Sequence, residues 1–385
     1  MDEKQLDSIP VVSADCHVSE PADELAALVP AALRDKAPRV EAVGGRRRVV
    51  FPTLDDPSLV DIDYEAPLSE GDDFSAEEIK RDKRRQMMAQ TNPRTHDLIA
   101  RLEDADLDGI AVQVVHPNLG INFALLERDI GTALCHAYNE WLIDRLSHPR
   151  IVTPVMLPMW DVDDAIAELR YGVGRSVRVV NIPVVPAGKP YNSADYERLW
   201  ETAAAEGVSF VMHQGTGHDM VRYRGKGSGP VNLSRTNTIV ARTLGLLACS
   251  GVMERHPDVH FVGVECEGGW MAWLMQILDA GYTKLFQYPR LAEKPSEYLR
   301  RQAHVTFQDD PVAIHNVALT GPEVLLWGND YPHMEGTFPE SREAIRRLFA
   351  DTPIDWTRKI LGETAAKVFH VEDVIAAWKP ADPAN

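Results

Sequence analysis

A chain of 385 residues, 44% hydrophobic and 25% charged, has the make-up of a globular protein that buries a sizeable core. Its formal net charge of −18 argues against a nucleic-acid or anionic-membrane partner, because both demand a basic surface. The acidic opening MDEKQLDSIP does not read as a secretory signal, and no apolar run approaches the roughly 20 residues of a membrane span.

In chain order, short apolar, β-branched runs alternate with amphipathic stretches. The runs are Pro10–Asp15, Gly109–His116, Ile151–Leu157, Val177–Pro183, Val208–His213, Val259–Glu265, Ala303–Phe307 and Val324–Asp330. Each reads as a strand buried on both faces, the pattern of a parallel sheet. Asp161–Tyr171, Asp195–Glu206 and Pro339–Phe349 carry helical spacing, the first opening on acids as a helix N-terminus prefers. Eight strands alternating with helices predict an α/β fold, a (β/α)8 TIM barrel forming one domain over residues 1–385. A doubly wound sheet would carry a Gly-rich phosphate loop, and Gly215, Gly217, Gly225, Gly227 and Gly229 fit no such pattern. Two segments interrupt the alternation. Residues 36–100 form a long charged insertion after the first strand, read as a lid or as surface decoration, with KRDKRR as a solvated helix face. Residues 214–240 are rich in Gly, Arg and Asn. Cys16, Cys135, Cys249 and Cys266 lie scattered without CxxC pairing, so a reducing, cytoplasmic location is expected.

Catalytic groups of a barrel sit at the C-terminal ends of its strands, on the face that carries the βα loops. Metal-competent residues recur there: Asp15 and His17 after the first strand, His116 after the second and His213 after the fifth. Glu265 follows the sixth and Asp330 the eighth. The Asp15-Cys16-His17 alternation aims two side chains to one side of an extended segment, where carboxylate and imidazole reach one ion. Glu20 reads either as a third donor from that loop or as an acid at the start of the helix near Pro21. His333, in DYPHMEGT, is expected to point toward the pocket. His116, His218, Arg222 and Arg224 read as structural or surface residues before site-lining ones. Glu267 is expected to be carried away by the Gly268-Gly269 turn, and Cys16 and Cys266 to act as small packing residues.

The segments SADCHVSEP, FVMHQGTG, VECEGGW and WGNDYPHMEGT, followed by KILGETAAKVF, resemble the second amidohydrolase family, which includes aminocarboxymuconate-semialdehyde and aromatic-acid decarboxylases and many hydrolases. The likeness runs from about residue 10 to 370 and is poorest across the insertion. It implies a barrel with a divalent ion held by Asp15, His17, His213 and Asp330. Two departures stand out: Asp15 replaces the first His of the commoner His-x-His pair, and Glu265 stands where many relatives have a His. The donor set, with Glu20 and Glu265 added, is rich in carboxylates, so among Zn, Mn, Mg and Fe it favours the harder ions over Zn.

The expected function is metal-dependent hydrolysis or non-oxidative decarboxylation of a small organic acid, ester or amide. One ion is expected, with Asp330 as base and Glu265 and His333 as acid or orienting groups. The alternative is an O2-dependent di-iron monooxygenase, because dinuclear iron sites combine several carboxylates with two histidines. A small branch resembling this family carries that chemistry on natural-product intermediates, and it would require Glu20, Glu265 or His333 at a second ion. The expected partners are a small-molecule substrate and, by analogy with relatives, a second copy in a homodimer.

Overall fold

The computed structural model describes residues 3–43, 46–54, 60–61, 93–218, 226–285, 287–333 and 335–379. Eight strand positions follow one another as parallel neighbours: β1 (Val11–Val18), β2 (Ile110–Pro117), β3 (Ile151–Val152 and Val155–Met156), β4 (Val179–Asn181), β5 (Ser209–His213), β6 (Phe261–Val264), β7 (Ala303–Phe307) and β8 (Leu325–Trp327). The first half of β3 pairs with β2 and the second with β4. Pro154 lies between the halves; it has no N–H to give a ladder, so the change of partner falls there. On the other side, a parallel bridge between Cys16 and Tyr331 joins β1 to the chain just beyond β8. Asp330 N–H donates to Asp15 O at 2.9 Å in the same seam. The TIM barrel expected from the alternation of strands and helices is the fold observed.

Strand residues divide by parity between two cores. Val112, Val179, Val211, Val262 and Leu326 pack with one another inside the barrel, together with Ala365 and Phe369 of the helix Thr364–Phe369. Their neighbours Val180, Phe210, Phe261, Leu325 and Trp327 face outward against the surrounding helices. The helices obey local rules. Asp161 caps Val162–Gly174 by accepting from the Asp163 and Asp164 N–H groups. Gly207, at φ 63° and ψ 47°, ends Glu197–Glu206 in the left-handed conformation that a glycine adopts without strain.

Of the insertion, the described part holds a small antiparallel sheet of Arg39–Val43, Arg46–Val50 and Val60–Asp61. The KRDKRR run, Arg222 and Arg224 lie outside the described residues. Among the described residues, no helix is long and apolar enough to cross a membrane.

Candidate metal centre

The site begins with an irregularity in β1. Ser13 pairs with Gln113 and Cys16 with Val115, so β1 spends one residue more than β2 over this stretch. Val12 and Ala14 face the barrel interior before it. The extra residue reverses the parity, which brings Asp15 and His17 inward in their turn. Gly328 makes room for this bulge: a Cβ there would lie 2.5 Å from the Asp15 Cβ. His213 needs no such device, since it shares the inward parity of Val211. Glu265 and Asp330 hold φ of 55° and 52°, a left-handed conformation unusual for residues other than glycine. Such backbone is retained where surroundings over-determine it, and it turns both carboxylates at the strand ends.

The donor atoms converge. His17 Nε2 lies 3.2 Å from His213 Nε2, 3.4 Å from Asp15 Oδ1, 3.4 Å from Glu265 Oε2 and 3.3 Å from Asp330 Oδ1. His213 Nε2 is 3.1 Å from Glu265 Oε2. Bonds of about 2.0–2.2 Å to one ion place neighbouring donors roughly 3 Å apart, the spacing seen here. The other ring nitrogens face backbone: His17 Nδ1 to Pro117 O at 3.4 Å and His213 Nδ1 to Gln214 O at 2.8 Å. A proton on Nδ1 leaves Nε2 free to ligate, the usual arrangement of a metal-binding histidine. Asp330 Oδ2 is buried with no hydrogen-bond partner, a cost that a cation would offset.

The electrostatics agree. Burial alone would pull the His17 imidazole down, but Asp15, Asp330 and Glu265 outweigh it and hold His17 well above its ordinary range. Burial pushes the Asp15 carboxyl up. It pushes Glu265 the same way, yet the neighbouring His213 and His17 hold that carboxyl well below its usual range. Three carboxylates in so little solvent demand positive charge, and the donor set suits a divalent metal ion.

A model of the family described as amidohydrolase matches residues 14–371. The chain belongs to the amidohydrolase family. Comparison with curated proteins returns no match. Among solved structures, this amidohydrolase is similar to one from Mycobacterium avium subsp. paratuberculosis K-10, with TM-score 0.73 and 18% identity over 94% of this chain and 99% of that one. It is similar to the 5-carboxyvanillate decarboxylase LigW from Sphingomonas paucimobilis, with TM-score 0.64 and 17% identity over 94% and 99% of the two chains. A dihydroxybenzoic acid decarboxylase from Polaromonas sp. JS666, solved with manganese and 2-nitroresorcinol, gives TM-score 0.62 and 14% identity over 94% and 97%. At these identities the likeness is one of fold, and the family makes the chain an enzyme.

Within this amidohydrolase, the expected site residues divide. Asp15, His17, His213 and Glu265 form one group of converging donors, and His17, Glu265, Asp330 and His333 a second that shares two of them, with His333 Nδ1 2.8 Å from Asp330 Oδ1. Glu20 does not, which corrects its reading as a metal donor. Its carboxylate is consumed elsewhere: Oε2 accepts from the Asn118 and Leu119 N–H groups at 3.0 and 2.9 Å, and Oε1 from Gly120 N–H at 3.1 Å. Burial pushes its carboxyl up against the pull of those three bonds. His116 is buried beneath the cluster, its ring 5.7 Å from that of His213, with Nε2 on Ala14 O at 3.1 Å. His218 is exposed and faces Ala124 O at 2.8 Å. Cys16 bonds Ser13 and Asn329, and burial pushes its thiol up to about 12, as suits a packing residue.

Supporting residues went unforeseen. Thr306 Oγ1 donates to Asp15 Oδ2 at 3.3 Å and accepts from Glu265 N–H at 2.7 Å, tying two donors together. Gln214 Nε2 holds Glu265 Oε1 at 2.8 Å, and Asn118 Oδ1 meets His333 Nε2 at 2.9 Å. Arg101 Nη1 donates to the His17 carbonyl at 2.7 Å. Thr306 lies one residue before the end of β7, so nearness to a strand end was the available signal.

Proposed function

We propose that this enzyme is a metal-dependent, non-oxidative decarboxylase of a small organic acid, with Asp15, His17, His213, Glu265 and Asp330 holding one divalent ion. The observation that carries the reading is the convergence of these donors in two overlapping groups, Asp15, His17, His213 and Glu265, and His17, Glu265, Asp330 and His333. When bound, the ion would draw electron density from a substrate oxygen or a water and offset the charge of the three carboxylates.

His333 stands between two acceptors, Asp330 Oδ1 at Nδ1 and Asn118 Oδ1 at Nε2. A proton on each ring nitrogen would give both acceptors a donor. Burial and the nearby His17 pull this imidazole down, but Asp330 and Glu265 more than reverse them, so His333 is raised above its ordinary range. Loss of CO2 breaks a carbon–carbon bond, leaves its electron pair on the substrate carbon, and requires one proton to replace the carboxylate. The Asp330–His333 pair is placed to hold that proton and deliver it. Carboxylate-rich donors favour Mn or Mg over Zn.

The test is elemental analysis of protein purified without added metal, followed by CO2 release from a panel of aromatic and aliphatic acids. About one Mn, Mg or Zn per chain with CO2 release from at least one acid is the expected result. Turnover of esters or amides without CO2 release would move the assignment to hydrolysis. Two Fe per chain with substrate-dependent oxygen uptake would overturn it.

A further inference from the structure

The two histidines whose Nε2 atoms meet in the cluster are held differently. His213 Nδ1 has a close partner in the Gln214 carbonyl at 2.8 Å. His17 Nδ1 stands 3.4 Å from the Pro117 carbonyl, beyond the roughly 2.7–3.2 Å of a good bond. A ligating imidazole is normally oriented by a strong bond at its second nitrogen. His17 belongs to both groups of converging donors, yet its ring is the less firmly held of the two.

Its backbone supplies the hold that the ring lacks. His17 N–H donates to Tyr331 O across the seam. In a parallel ladder the His17 carbonyl would then accept from the N–H two residues further along, that of His333. The chain turns away there, and the His333 N–H bonds Asp330 O at 2.7 Å instead. Arg101, on the helix Leu98–Leu107, takes its place. Its Nη1 donates to His17 O at 2.7 Å and to Thr95 O at 2.8 Å, and its Nε to Gln113 Oε1 of β2 at 2.8 Å. Thr95 Oγ1 accepts from Ser19 N–H at 3.0 Å, so the segment leaving β1 is held as well. The guanidinium lies 5.3 Å from the centre of the ring of Tyr331, the residue after Asp330. The Tyr331 hydroxyl donates to Asp104 of the same helix at 2.6 Å. Arg101 is fully buried, and among the described residues its hydrogen bonds go to neutral oxygens, the shortest to His17.

We infer that Arg101 is a positioning residue of the metal centre. By bonding the His17 carbonyl it fixes the backbone from which the imidazole reaches the ion, and by stacking on Tyr331 it couples that backbone to Asp330. The inference rests on the reading of the cluster as a metal site and not on which reaction the ion serves. Lysine is no equivalent, since one ammonium does not reproduce the planar fork that spans Gln113 and two carbonyls.

A second arginine provides the control. At the opposite end of the same two strands, Arg342 donates to the carbonyls of Ile9 and Gly109, just before β1 and β2. Its guanidinium lies 5.7 Å from the centre of the Trp378 ring. It clamps backbone and stacks on an aromatic ring as Arg101 does, but away from the donors.

Mn(II) is the probe, its affinity measured by competition with a chelator well below the melting temperature of each protein. Arg101→Met should weaken Mn(II) binding about 10–100-fold and Arg101→Lys about tenfold. Arg342→Met should lower Tm while keeping Mn(II) affinity within about twofold. At saturating Mn(II) the EPR lines of Arg101→Lys should broaden, reporting a distorted ligand set, and those of Arg342→Met should not. If Arg101→Met does not fold, Arg101→Lys, which keeps the charge and the stem, decides. Full affinity with unchanged lines in Arg101→Lys would overturn the inference, and so would equal losses from Arg101→Lys and Arg342→Met, which mark general destabilisation. No Mn(II) uptake by the unsubstituted protein would overturn the metal-site reading itself, an outcome seen before any variant is compared.

Discussion

Two histidine pairs sit at opposite ends of the same barrel. At the C-terminal face His17 and His213 meet Nε2 to Nε2 at 3.2 Å, with Asp15, Glu265 and Asp330 around them. At the other end, His260 precedes β6 and His304 lies at the start of β7, with His260 Nδ1 3.0 Å from His304 Nε2. The second pair has a backbone partner, Glu323 O at 2.7 Å from His304 Nδ1, in place of carboxylate side chains. The consequences are opposite. His17 is held well above its ordinary range, whereas burial and the neighbouring His260 pull His304 down to about 3. Close approach of two imidazoles therefore does not make a cation site. The negative field of the strand-end carboxylates does.

The strongest way to break this contrast is to remove one histidine from each pair. His17→Gln should reduce bound metal to below about a tenth of one ion per chain, while His304→Gln leaves it unchanged; metal analysis of the two proteins decides. Equal metal content in both would mean that the cluster at the C-terminal face is not the binding site. A smaller effect is expected from the hydroxyl that ties the donors together. Thr306→Val should weaken metal affinity about 10–100-fold in a competition titration with a chelator, and Thr306→Ser should restore it. Full affinity in the valine variant would show that Asp15 and Glu265 are oriented without it.

The smallest effect concerns the pair without carboxylates. His304 takes up a proton near pH 6.5 when the chain unfolds but only near 3 when folded, so the unfolded state binds more protons between those values. Stability is therefore lost as pH falls below 6.5. The loss reaches about 1.4 kcal/mol one pH unit lower, and His304→Gln should remove that part of the slope in urea melts at pH 7.5, 6.5 and 5.5. An unchanged slope would mean that His304 is already protonated in the folded protein.

Much of this was readable in the residues. The eight apolar runs correspond to the eight strand positions, because strands covered on both faces must be apolar throughout. Asp15, His17, His213, Glu265 and Asp330 were identifiable because charge at the end of an apolar strand is conspicuous. Glu20 was misread for a physical reason: its three N–H partners lie about a hundred residues further along, and no local pattern announces them. Thr306 also lies near the end of a strand, but it carries no charge, so a search for metal-competent side chains passes over it. The parity reversal in β1 was equally hidden, since a bulge depends on the register of the neighbouring strand.

The seam between β1 and the chain beyond β8 has a consequence for the order of events during synthesis. Asp15 emerges from the ribosome well before Asp330, yet its carbonyl accepts from Asp330 N–H, and Gly328 packs against its side chain. The ring of donors can close only after Asp330 has been made. Until then His17 and His213 are present without Asp330, and the nascent chain carries an unfinished set of ligands. Metal loading should thus follow synthesis of the last donor and lock β1 to the chain beyond β8, and an ion supplied earlier would find only part of its coordination shell.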